Sequence, residues 1–262
     1  MLAAIALVPL AACKTLADLS AGGEPLGIER RVEHPERSAI PARPLRARGN
    51  EPPWLATLND GELVLVTDYG VRRRAIPVLD TQRGGNVTRY RAADGEVSLV
   101  MTVRSRVCND SMSGMPYPYS VELATAQGVL HGCGGEPVEL LAGREWEVTR
   151  LDDRAPVRGS RITLRFVPED GRIAGIASCN QFSAAFTLTG ENLRFSSAMT
   201  TKMACSEPLM EQELDFLRLL SDVSTFDIDG AGMLELIGAE GRLVARPAPS
   251  SRDCCRRLGG LD

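Results

Sequence analysis

Cysteine and histidine are the residues of this sequence best suited to chemistry, and their positions limit what that chemistry can be. The 262 residues include seven cysteines and two histidines. His34 lies in a stretch rich in proline and arginine, and His131 lies two residues before Cys133. Neither belongs to a His-Glu-x-x-His motif, and there is no Gly-x-Ser-x-Gly partner. The sequence therefore predicts no hydrolytic triad and no catalytic residue.

Two carboxylates in turn-forming segments raise acid–base catalysis as a second possibility. Glu51 follows Gly49-Asn50, and Asp110 follows Cys108-Asn109. If the fold brought the two together, they would resemble the paired carboxylates of a glycoside hydrolase. A carboxylate in such a segment more commonly caps a turn. The sequence favours structural roles for both and predicts a non-enzymatic protein.

Metal, cofactor and nucleic-acid chemistry find no support in the sequence. The cysteines and histidines lack the Cys-x-x-Cys and His spacings of zinc sites, and no phosphate loop or dinucleotide fingerprint occurs. The net charge is −4, with no basic block suited to a nucleic acid. We therefore expect no metal, no cofactor and no nucleic-acid partner.

The first cysteine, Cys13, follows an apolar run that predicts export and lipid attachment. This run has twelve residues and ends in Leu10-Ala11-Ala12, whereas a helix that spans a bilayer needs about 20. It has the form of a bacterial lipoprotein signal, residues 1–13, in which the Cys13 thiol receives a diacylglycerol. Acyl chains would hold the protein on a membrane. The residue after Cys13 is Lys14 and not Asp, which favours sorting of the lipoprotein to the outer membrane, where it would face the periplasm. The alternative is an apolar N-terminus with no role in export.

Four further cysteines are expected to form disulfides, because an exported protein meets an oxidising compartment. Four cysteines allow three connectivities, and the sequence alone leaves them open, as it does free buried thiols. We favour Cys108 with Cys133 and Cys179 with Cys205, because each pair closes a short loop. Cys254 and Cys255 are adjacent, and adjacent cysteines rarely bridge each other without strain.

Composition and turn signals divide the chain into segments and predict a mainly β fold with two small antiparallel β domains. In the first β domain Val97, Leu99, Met101 and Val103 alternate with a set that includes the polar residues Ser98, Thr102 and Arg104, the pattern of a half-buried strand. The predicted segments are the signal (1–13), a Pro/Arg-rich linker (14–48), the first β domain (49–135), a second domain (140–246) and a disordered tail (247–262).

The second domain has both a hairpin pattern and the one clear helix pattern of the chain. Residues 181–188 alternate with the period of a strand, and Leu193 and Phe195 resume the alternation after a turn. Ser206 is a candidate helix N-cap followed by Pro208. The apolar stripe predicted for this helix consists of Met210, Leu214 and Leu217, widened by Leu209, Phe216 and Leu220.

The same region resembles the META domain family of bacterial proteins. The resemblance covers about residues 140–246 and rests on Trp146, the segment 171–180 with Cys179-Asn180, the segment Thr200-Thr201-Lys202-Met203-Ala204-Cys205 and the helix that follows. Ser178 stands where the family commonly has glycine. The resemblance implies a barrel-like antiparallel sheet with one packed helix. It also implies an association with stress tolerance, motility or secretion in the envelope, and no known chemistry.

Residues 48–135 resemble a family of uncharacterised bacterial envelope proteins with a Gly-Asn-Glu-Pro-aromatic-Trp segment. That segment is Gly49–Trp54 here, with Pro53 in place of the aromatic residue. Trp54, Tyr117 and Tyr119 are candidates for an aromatic ligand platform. Buried aromatic residues beside proline and cysteine also seal the end of a small barrel, and we favour that packing role.

Polar residues next to the second cysteine pair are candidates for a binding rim. Asn180 follows Cys179, and the segment 200–202 shortly precedes Cys205. The rim residues are Asn180, Thr200, Thr201 and Lys202. Asn and Thr at such places also satisfy backbone groups of tight turns, and we favour that structural role.

The function expected from the sequence is that of a non-enzymatic lipoprotein of the bacterial envelope. It would bind an envelope protein or a small ligand in a stress-related role. The alternative is an inhibitor of a secreted hydrolase such as lysozyme, because small disulfide-bonded β domains on lipid anchors suit that role. Carriage of a small ligand would require an apolar cavity in a barrel mouth.

Overall fold

The structure, a computed structural model, describes residues 44–249 and consists mainly of antiparallel strands. The fold class predicted from the sequence is confirmed. The first domain contains β1 (Leu45–Asn50), β2 (Pro53–Asn59), β3 (Glu62–Thr67), β4 (Arg72–Gly84), β5 (Val87–Ala93), β6 (Ser98–Arg104), β7 (Cys108–Asn109), β8 (Pro116–Tyr117), β9 (Tyr119–Thr125) and β10 (Gly128–Gly134).

Eight strands of the first domain close into a barrel in the order β1-β2-β3-β4-β5-β6-β9-β10, with β10 pairing back onto β1. Side chains of a strand alternate between the two faces, and Leu99, Met101 and Val103 of β6 point into the core as predicted. The buried core of this barrel consists of Leu45, Ala47, Trp54, Ala56, Leu63, Ile76, Tyr90, Ala92, Leu99, Met101, Val103, Val121 and Leu123.

Two strands of this barrel differ from the sequence-based expectation. β1 begins at Leu45, inside the residues predicted as linker, and β4 lies in a segment for which no strand was predicted. In β1, Leu45 and Ala47 are buried whereas Arg46 is exposed and Arg48 is half-buried. Arg46 and Arg48, two of the arginines that suggested a solvated linker, are thus on the outer face of a strand.

Trp54 fills the barrel between β1 and β10, and two glycines make room for it. Its side chain is buried, and its indole Nε1 donates a hydrogen bond to the carbonyl oxygen of His131 at 3.3 Å. A Cβ atom on Gly49 would lie 2.7 Å from Trp54 Cε2, and one on Gly132 would lie 2.7 Å from Trp54 Cζ2. Gly49 and Trp54 of the Gly-Asn-Glu-Pro-x-Trp segment therefore serve the packing of the barrel.

Between β6 and β9 the chain leaves the barrel and forms the two-stranded ribbon of β7 and β8. Cys108 in β7 is bonded to Cys133 in β10, with 5.5 Å between their Cα atoms. The predicted pairing is confirmed. The two cysteines are 25 positions apart, and closing a loop of that size stabilises a fold by about 3–4 kcal/mol in the chain-entropy model.

The second domain forms a curled sheet with the strand order β15-β14-β13-β12-β11-β19-β18-β17, to which β16 adds by pairing with β14. β15 packs beside β17, which gives the sheet its barrel-like shape. Its elements are α1 (Val138–Leu141), β11 (Glu145–Leu151), β12 (Thr163–Val167), β13 (Arg172–Ile176), β14 (Gln181–Leu188), β15 (Leu193–Phe195), β16 (Met199–Thr200), α2 (Glu207–Asp222), β17 (Val223–Ile228), β18 (Leu234–Gly238) and β19 (Arg242–Pro247).

Helix α2 is present as predicted, with Ser206 at the N-cap, but it buries a different face. The predicted stripe was wrong for Met210 and Leu214, which are 44% and 69% exposed. The buried residues are Gln212, Phe216, Leu219 and Leu220. Gln212 is polar but belongs to the buried face of the helix. Because the predicted face included apolar residues only, it was displaced around the helix from the face that is buried.

The second disulfide fastens the start of α2 to the turn between β13 and β14. It joins Cys179 to Cys205, with 6.1 Å between the Cα atoms. This pairing, too, is confirmed, and both Cα separations lie in the usual range for disulfides. The helix also packs on the sheet through aromatic residues: the ring of Phe182 in β14 meets that of Phe216 in α2 edge to face, with 5.2 Å between the centroids.

The core of the second domain includes residues from the first domain. Met115, Tyr117 and Cys133, all almost fully buried, belong to the same cluster as Trp146 and Phe226 of the second domain. The β7–β8 ribbon therefore inserts into the neighbouring core, and β8 packs beside β17. The side chain of Asn109 adds a polar contact by donating a hydrogen bond to Asp227 Oδ1 at 3.2 Å.

Several predictions concern residues outside the range that the structure describes. These are the signal (1–13) with Cys13, all but the end of the linker, and the tail cysteines Cys254 and Cys255. Within residues 44–249, no helix is both long enough and apolar enough to cross a bilayer.

Replacing Gly132 tests the packing of Trp54. In Gly132→Ala the new methyl group collides with the carbonyl oxygen of Arg48 and with the indole, so a strand must shift. We expect the free energy of unfolding to fall by about 2 kcal/mol or more, measured by denaturant titration. Gly84→Ala is the matched control, because Gly84 also lies in a strand and has open space around it. Equal stability of the two variants would contradict the packing described.

Candidate functional site

The first polar cluster lies where the β7–β8 ribbon meets the turn between β1 and β2. Asn50 Nδ2 donates hydrogen bonds to Asp110 Oδ2 at 3.2 Å and to Ser111 Oγ at 2.9 Å. Asp110 Oδ1 accepts the backbone N–H groups of Met112 at 3.0 Å and Ser113 at 2.9 Å. The carboxylate thus closes a turn and joins it to the barrel.

The acid–base chemistry considered for Asp110 does not suit this arrangement. Burial opposes ionisation of the carboxyl group, but the hydrogen bonds from Ser113, Met112 and Asn50 outweigh it and lower the pKa. Asp110 is therefore an ionised acceptor held in place by its donors. The residue that reaches it is Asn50, while Glu51 is exposed in the adjoining turn.

The three aromatic residues proposed as a platform are divided between two cores. Trp54 belongs to the core of the first barrel, and Tyr117 belongs to the core of the second domain. Tyr119 is half-buried and donates a long hydrogen bond of 3.5 Å to Glu139 Oε2. Burial, together with the negative charge of Glu139, raises the pKa of Tyr119 to about 12. The structure does not bring the three rings together as one exposed surface.

The second polar cluster surrounds Asn180, which is 6% exposed. Its Oδ1 accepts hydrogen bonds from Thr201 Oγ1 at 2.8 Å and from the backbone N–H of Met203 at 2.7 Å. Its backbone N–H and its Nδ2 donate to the two carboxylate oxygens of Glu213 in α2, at 2.7 and 3.0 Å. Asn180 therefore ties the β13–β14 turn to the segment before Cys205 and to the helix.

Gln212, next to Glu213 in α2, fastens two further loops. Its Nε2 donates hydrogen bonds to Ser160 Oγ and Ser178 Oγ, both at 2.9 Å. Its Oε1 accepts the backbone N–H of Val157. Neither Gln212 nor Glu213 was predicted from the sequence as a site residue. The sequence does contain one feature that could have indicated them. Gln212 and Glu213 are adjacent polar residues inside an amphipathic helix, and the apolar residues of that helix do not account for its whole buried face.

The proposed rim residues fall into two groups. Asn180 and Thr201 are in contact, and the Thr201 hydroxyl also accepts the backbone N–H of Gln181 at 3.2 Å. Thr200 pairs with Phe182 in the ladder of β16 and β14, and Lys202 is exposed. The hydrogen bonds of Asn180 and Thr201 are thus used to hold the turn.

A pocket of about 410 Å³ lies between the first barrel and the second domain. Arg48 of β1 contributes to its wall, and its guanidinium carbon lies 4.9 Å from the centre of the Tyr117 ring. Burial raises the pKa of the Tyr117 hydroxyl, against the opposing effect of Arg48. The other lining residues are Glu136, Pro137, Val138, Pro168, Gly171, Phe186, Thr187, Leu188, Thr189 and Gly190.

A second pocket, of about 380 Å³, lies on the outer face of the first barrel, lined by Asp80, Gln82, Arg89, Arg91 and Val100. None of these residues belongs to the buried core of that barrel. In the part of the chain that the structure describes, no cluster of three or more His, Cys, Asp or Glu residues is arranged to hold a metal ion.

The fold and its polar clusters define a two-domain antiparallel β protein with one disulfide in each domain. The family model of the META domain matches residues 139–250, so the second domain is a META domain. The resemblance of the first domain to an envelope family stays a prediction.

Two further comparisons add little to this assignment. The NMR structure of a protein from Burkholderia xenovorans is similar at 23% identity over 41% of this chain and 82% of that chain, with a TM-score of 0.35. No curated protein matches the chain significantly.

Ser178 gives a direct test of the turn that precedes Asn180. Its φ of 96° lies in the region that favours glycine, and its hydroxyl accepts the hydrogen bond from Gln212. Ser178→Ala and Ser178→Gly both remove the hydrogen bond, but only glycine removes the strain. We expect the glycine variant to be more stable than the alanine variant by about 1 kcal/mol or more, measured by denaturant titration.

Ser197 is the control position, because it is exposed and its φ lies outside the left-handed region. There the order should reverse, since glycine has more conformational freedom to lose on folding. The same order at both positions would show that the Ser178 backbone is not strained.

Proposed function

We propose that the protein is a non-enzymatic, lipid-anchored component of the bacterial envelope and that its two β domains together bind another envelope component. In this proposal the anchor is the diacylglycerol on Cys13, and the protein lies on the outer membrane facing the periplasm. Its role belongs to the response to envelope stress, as the resemblance to the META family implies.

The observation that supports a binding role is how the polar side chains are used. Asp110, Asn180 and Gln212 are the buried groups best placed for chemistry, and each has its hydrogen bonds satisfied by loop backbone or by neighbouring side chains. A general acid or base needs a proton to donate or a lone pair to accept one, directed at the substrate. These groups hold loops instead, which leaves the surface and the pockets between loops for recognition.

The two disulfides support an extracytoplasmic location. Disulfides persist in oxidising compartments and are rare in a reducing cytosol. Here each domain has one such bond, close in sequence to the residues of its hydrogen-bond cluster. Such a design suits small domains that must stay folded outside the cell's chaperone system.

The anchor is tested by mass spectrometry of the protein isolated from membranes of its bacterial host. We expect the N-terminal peptide to begin at Cys13 and to carry acyl chains, and the protein to stay with the membranes in a carbonate wash. Cys13→Ser should release it, whereas Cys254→Ser should not. An unmodified peptide that still contains residues 1–12 would contradict the anchor and the location together.

The binding partner is tested by crosslinking and affinity purification of the lipidated protein from its own envelope under heat stress. Cys179→Ser controls for capture by a misfolded domain. Reproducible recovery of one envelope component, lost in that control, supports the proposal. If the component is a secreted hydrolase such as lysozyme and its turnover is inhibited, the alternative function as an inhibitor replaces it.

A further inference from the structure

The pocket between the two domains combines one cation, one carboxylate and an apolar wall. We infer that it binds the α-carboxylate of a small molecule with an apolar side chain, namely a free amino acid or the C-terminal residue of a peptide. This inference rests on the proposed binding function and names the chemistry of its ligand.

Arg48 is the group that would hold the carboxylate. Its guanidinium carbon lies over the Tyr117 ring, and a cation–π contact of this kind uses none of the five N–H donors of the guanidinium. Among residues 44–249, those donors meet no carboxylate or carbonyl within bonding distance. A half-buried cation without a counter-ion is unfavourable, and a carboxylate in the pocket would supply two parallel acceptors for it.

A second unused donor lies beside the Arg48 guanidinium. Tyr117 is 1% exposed, and its hydroxyl has no hydrogen-bond partner among the described residues. Gly190 lies directly over both groups, because a Cβ atom there would be 3.1 Å from the Tyr117 hydroxyl and 3.0 Å from Arg48 Nη1. The hydroxyl itself is covered and does not line the pocket. The missing side chain of Gly190 leaves room beside the Arg48 guanidinium, because a Cβ atom there would meet Nη1.

The remaining wall of the pocket determines which anions fit. Phe186, Leu188, Pro137 and Val138 form the apolar part of a wall that also has polar lining residues. The apolar part suits a hydrocarbon side chain, which a bare inorganic anion lacks. The volume of about 410 Å³ is within the range of small-ligand sites.

Glu136 distinguishes the two sources of an α-carboxylate. Its carboxylate lines the same pocket, so it attracts the free ammonium group of an amino acid but gains nothing from the amide nitrogen of a peptide end. L-Leucine represents the first source and N-acetyl-L-leucine represents the second.

Isothermal titration of the full chain tests the inference, with L-leucine, N-acetyl-L-leucine, leucinamide and inorganic phosphate as probes. We expect at least one of the two carboxylates to bind and leucinamide and phosphate to bind at least about tenfold more weakly. Arg48→Gln should weaken carboxylate binding about tenfold or more. Arg46→Gln should leave it unchanged, because Arg46 lies on the same strand but outside the pocket.

Glu136→Gln gives a second measurement that does not depend on the fold, because Glu136 is exposed. It should weaken leucine binding and leave N-acetyl-leucine binding unchanged. If N-acetyl-leucine is the tighter ligand of the unaltered protein, the natural ligand is a peptide end.

Three results would overturn the inference. They are no binding of either carboxylate at millimolar concentration, equal binding of leucinamide or phosphate, and undiminished binding by a folded Arg48→Gln variant. If such a variant still recovers the envelope partner in the crosslinking experiment, the pocket inference fails while the proposed function stands.

Discussion

The hydrophobic core shared by the two domains is the constraint on which the rest of the structure depends. The β7–β8 ribbon carries Met115 and Tyr117 out of the first barrel and buries them among the residues of the META domain. Because Cys108 is bonded to Cys133, the ribbon cannot withdraw without straining β10. The positions of Arg48, Gly190 and the pocket between them follow from this insertion. The two domains are therefore connected by a shared set of buried side chains and not by a flexible linker alone.

Both domains use the same local device beside their disulfides. In the first, Asp110 follows Cys108 closely and accepts backbone N–H groups of its own turn. In the second, Asn180 follows Cys179 and accepts the backbone N–H of Met203. In each case a covalent bond fixes the ends of a loop, and a buried polar side chain satisfies the backbone groups inside it. These residues look like candidates for chemistry in the sequence because the same types, buried and hydrogen-bonded, serve either purpose.

The sequence predicted the local features well, because they depend on neighbours in the chain. The β14–β15 hairpin, the start of α2 at Ser206 and both disulfides follow from alternation, capping and short loop length. β1 was missed because its alternation is short and adjoins a stretch rich in proline and arginine. β4 was missed because it begins with three consecutive exposed arginines and buries a single residue, Ile76, so it lacks a clear period of two. The inward face of α2 was misplaced because Gln212 is buried by partners far away in the sequence. The shared core and the pocket depend on contacts between Tyr117, Arg48 and Gly190 that no local pattern encodes.

Native-state hydrogen exchange of Met115→Ala tests the shared core most directly. The truncation removes a buried side chain, for which the cost is about 2–5 kcal/mol. Met101→Ala is the matched control, because Met101 is equally buried but belongs to the core of the first barrel. The shared core predicts that Met115→Ala lowers the protection of amides in β11 and β17 of the META domain more than Met101→Ala does. Loss of protection confined to residues 44–134 in both variants would show that the two domains do not share a core.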